Sequence, residues 1–237
     1  MINLKFFLEK AYRYCNKTAV RWSPLVLLSP TRIDAKTVAV GENDGRWLIP
    51  SDLFPENSIC YCVGVGVDCS FDIELAARFQ ANVFSFDPTP SSVEYMQSVS
   101  HPRLKFLPWG VWKHDGNIEI FPQQRNSITN LSVTPSGSQE IGTTVPCFRL
   151  KTIMEKLGHK HIDLLKIDIE GAWYEVLMDM VSCSIAPKIL CVEFDSPTSI
   201  RRVREAVSLL RQNGLILVCR EKEDYLFARE DLQINAK

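Results

Sequence analysis

The chain has 237 residues, of which 46% are apolar and 23% charged, with a formal net charge of -1. That length suits one sizeable domain with a well-buried core plus a short extension. Lys+Arg 27 against Asp+Glu 28 leaves no global basic field to hold a nucleic-acid backbone, so no nucleic-acid partner is expected.

Residues 1–13 read as an amphipathic helix, with Leu4, Phe7 and Leu8 at helical spacing among Lys5, Glu9 and Lys10. Those charges interrupt the uncharged run that a signal peptide needs, and a membrane span needs about 20 apolar residues. The expectation is therefore a cytoplasmic chain without a membrane span, its first helix docked on its own domain. Residues 37–40 and 46–49 read as two short strands around the turn signal Asp44-Gly45. Residues 1–50 are taken as an extension of the same domain, serving as a lid, and residues 51–237 as its main body.

From residue 58 strands and helices alternate. Residues 59–63 are an unbroken apolar run, 71–79 a helical stripe (Phe71, Leu75, Ala76, Phe79) and 83–86 a second strand. A helix over 91–98 and a third strand over 104–107 follow. Near-continuous apolar strands separated by helices predict an α/β, Rossmann-like, mostly parallel sheet with helices on both faces. Residues 112–121 read as a hairpin around His114-Asp115-Gly116, and the polar stretch 122–145 as too poor in apolar residues to form core. A helix over 150–157 closes at Gly158, a suitable residue for a left-handed helix end. The next elements are a buried strand over 162–169, a helix over 173–180, a fifth strand over 188–194 and a helix over 200–212 stopped by Gly214. Residues 215–220 and 224–228 close the chain as an antiparallel hairpin, which a repeating βα dinucleotide fold would not normally show. The eight cysteines sit largely in apolar runs and lack paired Cys-x-x-Cys spacing, so they read as reduced thiols rather than a zinc site.

Gly64-Val65-Gly66-Val67-Asp68 joins the first strand to a helix, where glycines let a ligand approach the backbone. Asp87 ends the second strand, 21 residues after Gly66, followed by Pro88; an acid there can accept both hydroxyls of an adenosine ribose. Trp109 and Gly110 leave the third strand where an adenine could stack, core packing of the indole being the alternative. A dinucleotide would want a third glycine where Cys69 stands, and the Asp68 carboxylate would repel its pyrophosphate. S-adenosyl-L-methionine, with a sulfonium and an ammonium, suits that acid. Asp68 reads equally well as a helix N-cap.

Lys166, Asp168 and Glu170 alternate along a strand and so point to one face near its carboxyl end, where open α/β sheets bind ligands. Glu193 and Asp195 end the adjacent strand, bringing carboxylates from two strands to one rim. A purely structural Lys166–Asp168 ion pair is the plainer alternative.

Lys166-Ile-Asp-Ile-Glu-Gly-Ala172, with Gly64-Val-Gly-Val-Asp-Cys-Ser-Phe-Asp72 and Phe86-Asp-Pro-Thr-Pro90, resembles the FkbM family of methyltransferases. The resemblance runs from about Gly45-Arg-Trp47-Leu-Ile-Pro50 to the C-terminal strands. It implies a class I methyltransferase sheet of seven strands, S-adenosyl-L-methionine as donor, and an oxygen acceptor on a small molecule or sugar. The donor contacts would be Gly64, Val65, Gly66, Asp68, Asp87, Pro88, Trp109, Gly110 and Asp168. Asp168 would touch donor or acceptor, Glu193 or Glu170 would accept the proton, and Lys166 would orient these carboxylates. Arg125 and Asn126 are candidate substrate contacts in a polar loop over 123–130. No histidine joins the rim acids, so no metal is expected, a divalent cation on the carboxylates being the alternative. His159 and His161 precede the fourth strand, at the wrong end of the sheet. Two rivals stand beside this reading: a nicotinamide-dependent oxidoreductase, and a binding module that kept the fold and lost the chemistry.

Overall fold

The computed structural model describes residues 37–53, 55–122, 131–132, 142–169, 171–195 and 198–232. The expected N-terminal helix, Arg125, Asn126 and Glu170 lie outside the described residues.

Strand β1 (Thr37–Val40) pairs antiparallel with β2 (Trp47–Pro50), a separate two-stranded hairpin. The alternating series then begins: β3 (Ile59–Val63), α1 (Ser70–Arg78), β4 (Asn82–Phe86), α2 (Pro90–Met96) and β5 (Leu104–Leu107). An insertion holds β6 (Gly110–Val111), β7 (Gly116–Pro122), β8 (Leu131–Ser132) and β9 (Thr143–Phe148). The series resumes with α3 (Leu150–Leu157), β10 (Leu164–Ile167), α4 (Trp173–Ser182), β11 (Ile189–Glu193), α5 (Ile200–Gln212), β12 (Leu215–Glu221) and β13 (Asp224–Arg229).

Seven of these strands form one sheet in the order β12-β13-β11-β10-β3-β4-β5. Pairing is parallel from β11 through β5, while β13 runs antiparallel between β11 and β12. The chain walks outward from β3 to β5, then returns to lay β10 on the other side of β3. That reversal leaves a crevice at the carboxyl ends of β3 and β10, where ligands sit in open sheets.

Side chains alternate across the sheet. Tyr61, Leu165, Ile167, Leu190 and Val192 pack with residues of α3, α4 and α5, including the fully buried Trp173. Cys60, Cys62, Leu164, Ile189 and Cys191 face the other way, onto Phe71 and Leu75 of α1 and Val40, Trp47 and Ile49 of the β1–β2 hairpin. That hairpin therefore does a helix's work in covering the second face. The seven described cysteines, three of them in this second row, are free thiols. Helix α3 ends at Gly158 with φ +73, as its terminal glycine predicts.

The insertion departs from expectation. β7 does not fold back on the residues before it; it pairs antiparallel with β9, and β6 pairs parallel with the same strand. Residues 143–145 thus belong to a strand whose Val145 and Cys147 are buried, not to a coreless polar stretch. A half-buried strand needs only alternate apolar residues, and a polar flank hides so short a signal. Gly110 is required here, because a Cβ on it would lie 2.3 Å from Cys147 Sγ.

Candidate active site

A cleft of about 690 Å³ opens at the crevice between β3 and β10. Its floor is the glycine loop. Gly64 has φ +90 and Gly66 φ +58, conformations that side chains with a Cβ resist. A Cβ on Gly64 would stand 1.7 Å from the Asp168 carbonyl oxygen, so this glycine lets two strand exits touch. A Cβ on Gly66 would meet nothing within 4 Å; it would project into open space.

Asp87, 6% exposed at the end of β4, holds the loop. Its Oδ2 accepts from the amides of Val65 and Gly66, each at 3.0 Å, and its Oδ1 from the Thr89 amide at 2.9 Å. A carboxylate offers about four acceptor positions, so two of these brace the loop, a third holds the turn after β4, and there is room for one further donor. Asp68 serves both expected roles in part. Its Oδ1 accepts from the Ser70 amide at 2.9 Å at the start of α1, and the residue lines the cleft. The Gly41 and Glu42 amides of the accessory hairpin donate to Glu74 Oε2 at 2.7 Å and Ser70 Oγ at 2.9 Å, docking it onto α1. The hairpin thereby brings Arg46 and Trp47 into the cleft wall.

The rim acids cluster around Lys166. This lysine is 4% exposed, and its Nζ donates to the Gly64 carbonyl at 3.0 Å and pairs with Asp168 Oδ2 at 2.8 Å. The Trp47 ring lies 5.6 Å away. Burial opposes the ammonium charge, but Asp168 and then Asp72 outweigh it and raise the Lys166 pKa. Burial likewise works against the Asp168 charge; Lys166 and a hydrogen bond with Glu193 overcome it, and the Asp168 pKa is lowered. Asp224, at the start of β13, is pushed up to about 6 by burial and next by Asp168. Asp195 Oδ2 accepts from the Gly171 amide at 3.1 Å, tying down the loop after β10.

Most of the residues expected at the site therefore meet at one cleft: Gly64 to Gly66, Asp68, Asp87, Pro88, Gly110, Lys166, Asp168 and Glu193. Trp109 does not line it. That indole lies edge-on to Phe148 with ring centres 5.1 Å apart, because β9 supplies a packing partner the sequence pattern hid. Trp112 lines the cleft instead, with Ile118, Ile120 and Cys147 completing an apolar wall. The other wall is the charged turn over 221–224, joined to the accessory hairpin by an Arg46–Glu221 ion pair of 2.7 Å. Lys222 takes φ +57 in that turn, a tight two-residue connection. His159 packs at the amino end of the sheet, 2.7 Å from the Tyr61 hydroxyl. Among the described residues no three His, Cys, Asp or Glu side chains are grouped to hold a metal ion, and no helix is long and apolar enough to cross a membrane.

The profile of the methyltransferase FkbM domain matches residues 31–217. No curated protein matches the chain. Among solved structures, a methyltransferase FkbM from Methylobacillus flagellatus is similar over 76% of this chain, with 11% identity and a TM-score of 0.49. This chain covers 46% of that protein, less than half its length. A TehB-like SAM-dependent methyltransferase from Corynebacterium glutamicum is 11% identical over 74% of this chain and 82% of its own, with a TM-score of 0.38. A fibrillarin pre-rRNA processing protein of Methanococcus jannaschii is 9% identical over 85% of each chain, with a TM-score of 0.42.

Proposed function

The chain belongs to the FkbM family of methyltransferases, and on that footing we propose that it transfers a methyl group from S-adenosyl-L-methionine to a hydroxyl oxygen of a small molecule or sugar. The observation that carries this reading is the glycine loop, braced by Asp87 on one side and by Lys166 and Asp168 on the other, with open space over Gly66. Those residues fit the donor. The cleft is lined, among the described residues, by seven acidic side chains against three basic ones, Arg46, Lys166 and Lys222. Such a lining favours a ligand with a sulfonium and an ammonium and disfavours the pyrophosphate of a dinucleotide.

When bound, the donor supplies an electrophilic methyl group. The protein's part is alignment, which is worth several orders of magnitude in rate. Lys166 anchors the loop through the Gly64 carbonyl and keeps Asp168 ionised beside it. An ionised Asp168 can accept a hydrogen bond from a hydroxyl and orient its oxygen toward the donor. Its hydrogen-bonded neighbour Glu193 extends the carboxyl pair that would receive the leaving proton. The apolar wall at Trp112 and Ile120 excludes water from one side.

Calorimetry with S-adenosylhomocysteine and with NAD tests the donor. Binding of NAD alone would overturn the proposal. Turnover of a hydroxyl acceptor by Asp168→Ala tests the rim; wild-type rates would remove Asp168 from the mechanism.

A further inference from the structure

Asp72 has no part in the chemistry just described, yet it is a carboxylate only 3% exposed in the middle of the fold. It lies in the first turn of α1, on the sheet face that α1 covers. The strand registers show what it meets there. Cys62 of β3 is paired with Lys166 of β10 on one side and with Ser85 of β4 on the other. Paired residues on neighbouring parallel strands point to the same face. Lys166, Cys62 and Ser85 therefore form a polar row across an otherwise apolar surface, and Asp72 sits on that row. Ser85 Oγ donates to Asp72 Oδ2 at 2.5 Å, and Cys62 joins Lys166 and Ser85 in opposing the rise that burial gives the Asp72 pKa. Ser85 and Cys62 are both fully buried.

We infer that Asp72 is a positioning residue for donor binding: from the α1 face it shares Lys166 with Asp168, and so holds the Gly64 carbonyl in its ligand-ready place. The argument is one of charge balance. A buried ammonium is sustained only by compensating groups. On the cleft side Lys166 has Asp168, whose own hydrogen bond goes to Glu193 and which must be able to turn toward a substrate. On the other side it has Asp72, which does not line the cleft and is held in place by Ser85. Burial raises the Asp72 pKa and Lys166 is the foremost group opposing that shift, so the two charges support each other and Asp168 is left available for chemistry. The remaining groups facing Lys166 are the Cys62 and Cys191 thiols, both held protonated chiefly by burial, and Asp224 across β11.

This inference rests on the donor reading of the cleft, and its test separates the two. The dissociation constant of S-adenosylhomocysteine is measured by calorimetry from pH 6.5 to 9.5 on the full chain, as a ratio of variant to wild type that cancels the ligand's own titration. Asp72→Asn is expected to weaken binding about tenfold at pH 7 and progressively more as pH rises. Loss of the Asp72 charge lowers the Lys166 pKa, with Asp168 still foremost in opposing burial, so the variant's ammonium gives up its proton at lower pH than the wild type's. The double variant Asp72→Asn with Lys166→Met should bind weakly at every pH, with no slope. A folded Asp72→Asn with unchanged affinity and a flat ratio overturns the inference, since a residue needed only for folding would not create a slope. Should that variant fail to fold, Ser85→Ala decides. Loss of that hydrogen bond weakens the Asp72 charge, so a smaller effect of the same sign is expected, and no effect overturns the inference. Failure of wild type to bind the analogue would strike the donor reading itself.

Discussion

Alanine at Gly66 and alanine at Gly64 should behave differently, and the difference can be worked from the loop geometry. At Gly66 the new methyl meets nothing within 4 Å, so the folding cost is that of placing alanine at φ +58. That conformation costs roughly 1–2 kcal/mol. For a chain of this size each kcal/mol lowers Tm by about 2–4 °C, so a fall of about 2–8 °C is expected. The methyl group nevertheless occupies the space left for a ligand above the loop. Donor affinity should fall at least tenfold, equivalent to about 1.4 kcal/mol. At Gly64 the added Cβ would stand 1.7 Å from the Asp168 carbonyl oxygen, a backbone atom that cannot swing aside. The clash adds roughly 1–3 kcal/mol of overpacking to the conformational cost. Gly64→Ala should therefore melt well below Gly66→Ala and also displace Asp168. The assay is a thermal melt of each variant with and without S-adenosylhomocysteine, followed by calorimetry. A Gly66→Ala protein that binds the analogue as tightly as wild type would refute the placement of the donor over this loop.

Lys166→Met leaves Asp72 and Asp168 without their shared cation; breaking a buried pair costs roughly 3–5 kcal/mol, and the low end applies because the Asp168 side chain is 30% exposed. Adding Asp72→Asn to that variant should recover part of the lost Tm, which a pair of melts would show. Asp224 has a folded-state pKa of about 6, above the ordinary carboxyl value of 3.8, so the stability it contributes is full at low pH and is lost as pH rises through about 6. Asp224→Asn should accordingly gain on wild type in Tm between pH 4.5 and 7.5; a constant difference across that range would contradict the burial argued for this carboxyl. Trp112→Ala should weaken S-adenosylhomocysteine binding, whereas Trp109→Ala should lower Tm and leave the affinity near wild type, because only Trp112 lines the cleft.

What could be read along the chain was whatever chemistry is local to it. The loop over 64–68, the acid at Asp87 and the alternation of Lys166 with Asp168 are short-range patterns, and each lands at the cleft. Even there the geometry changed the meaning. Asp87 reads from the sequence as a ligand contact, yet two of its acceptor positions hold the loop that would bind the ligand and a third holds Thr89. The insertion was illegible because β9 announces itself with only Val145 and Cys147, and its partners β6 and β7 lie far enough upstream that no turn signal links them. Of the two readings of Trp109, ligand stacking or core packing, the packing partner could not be named without β9, which supplies Phe148. The Asp72 row was hidden for another reason. Cys62, Ser85 and Lys166 look unrelated in sequence and become neighbours only once β10 is known to lie against β3 and β3 against β4. The same strand order that opens the crevice also aligns that row under it. A cleft and its counter-charge are thus two consequences of one reversal in the sheet, which is why a buried acid on a helix outside the cleft can be expected to govern affinity within it.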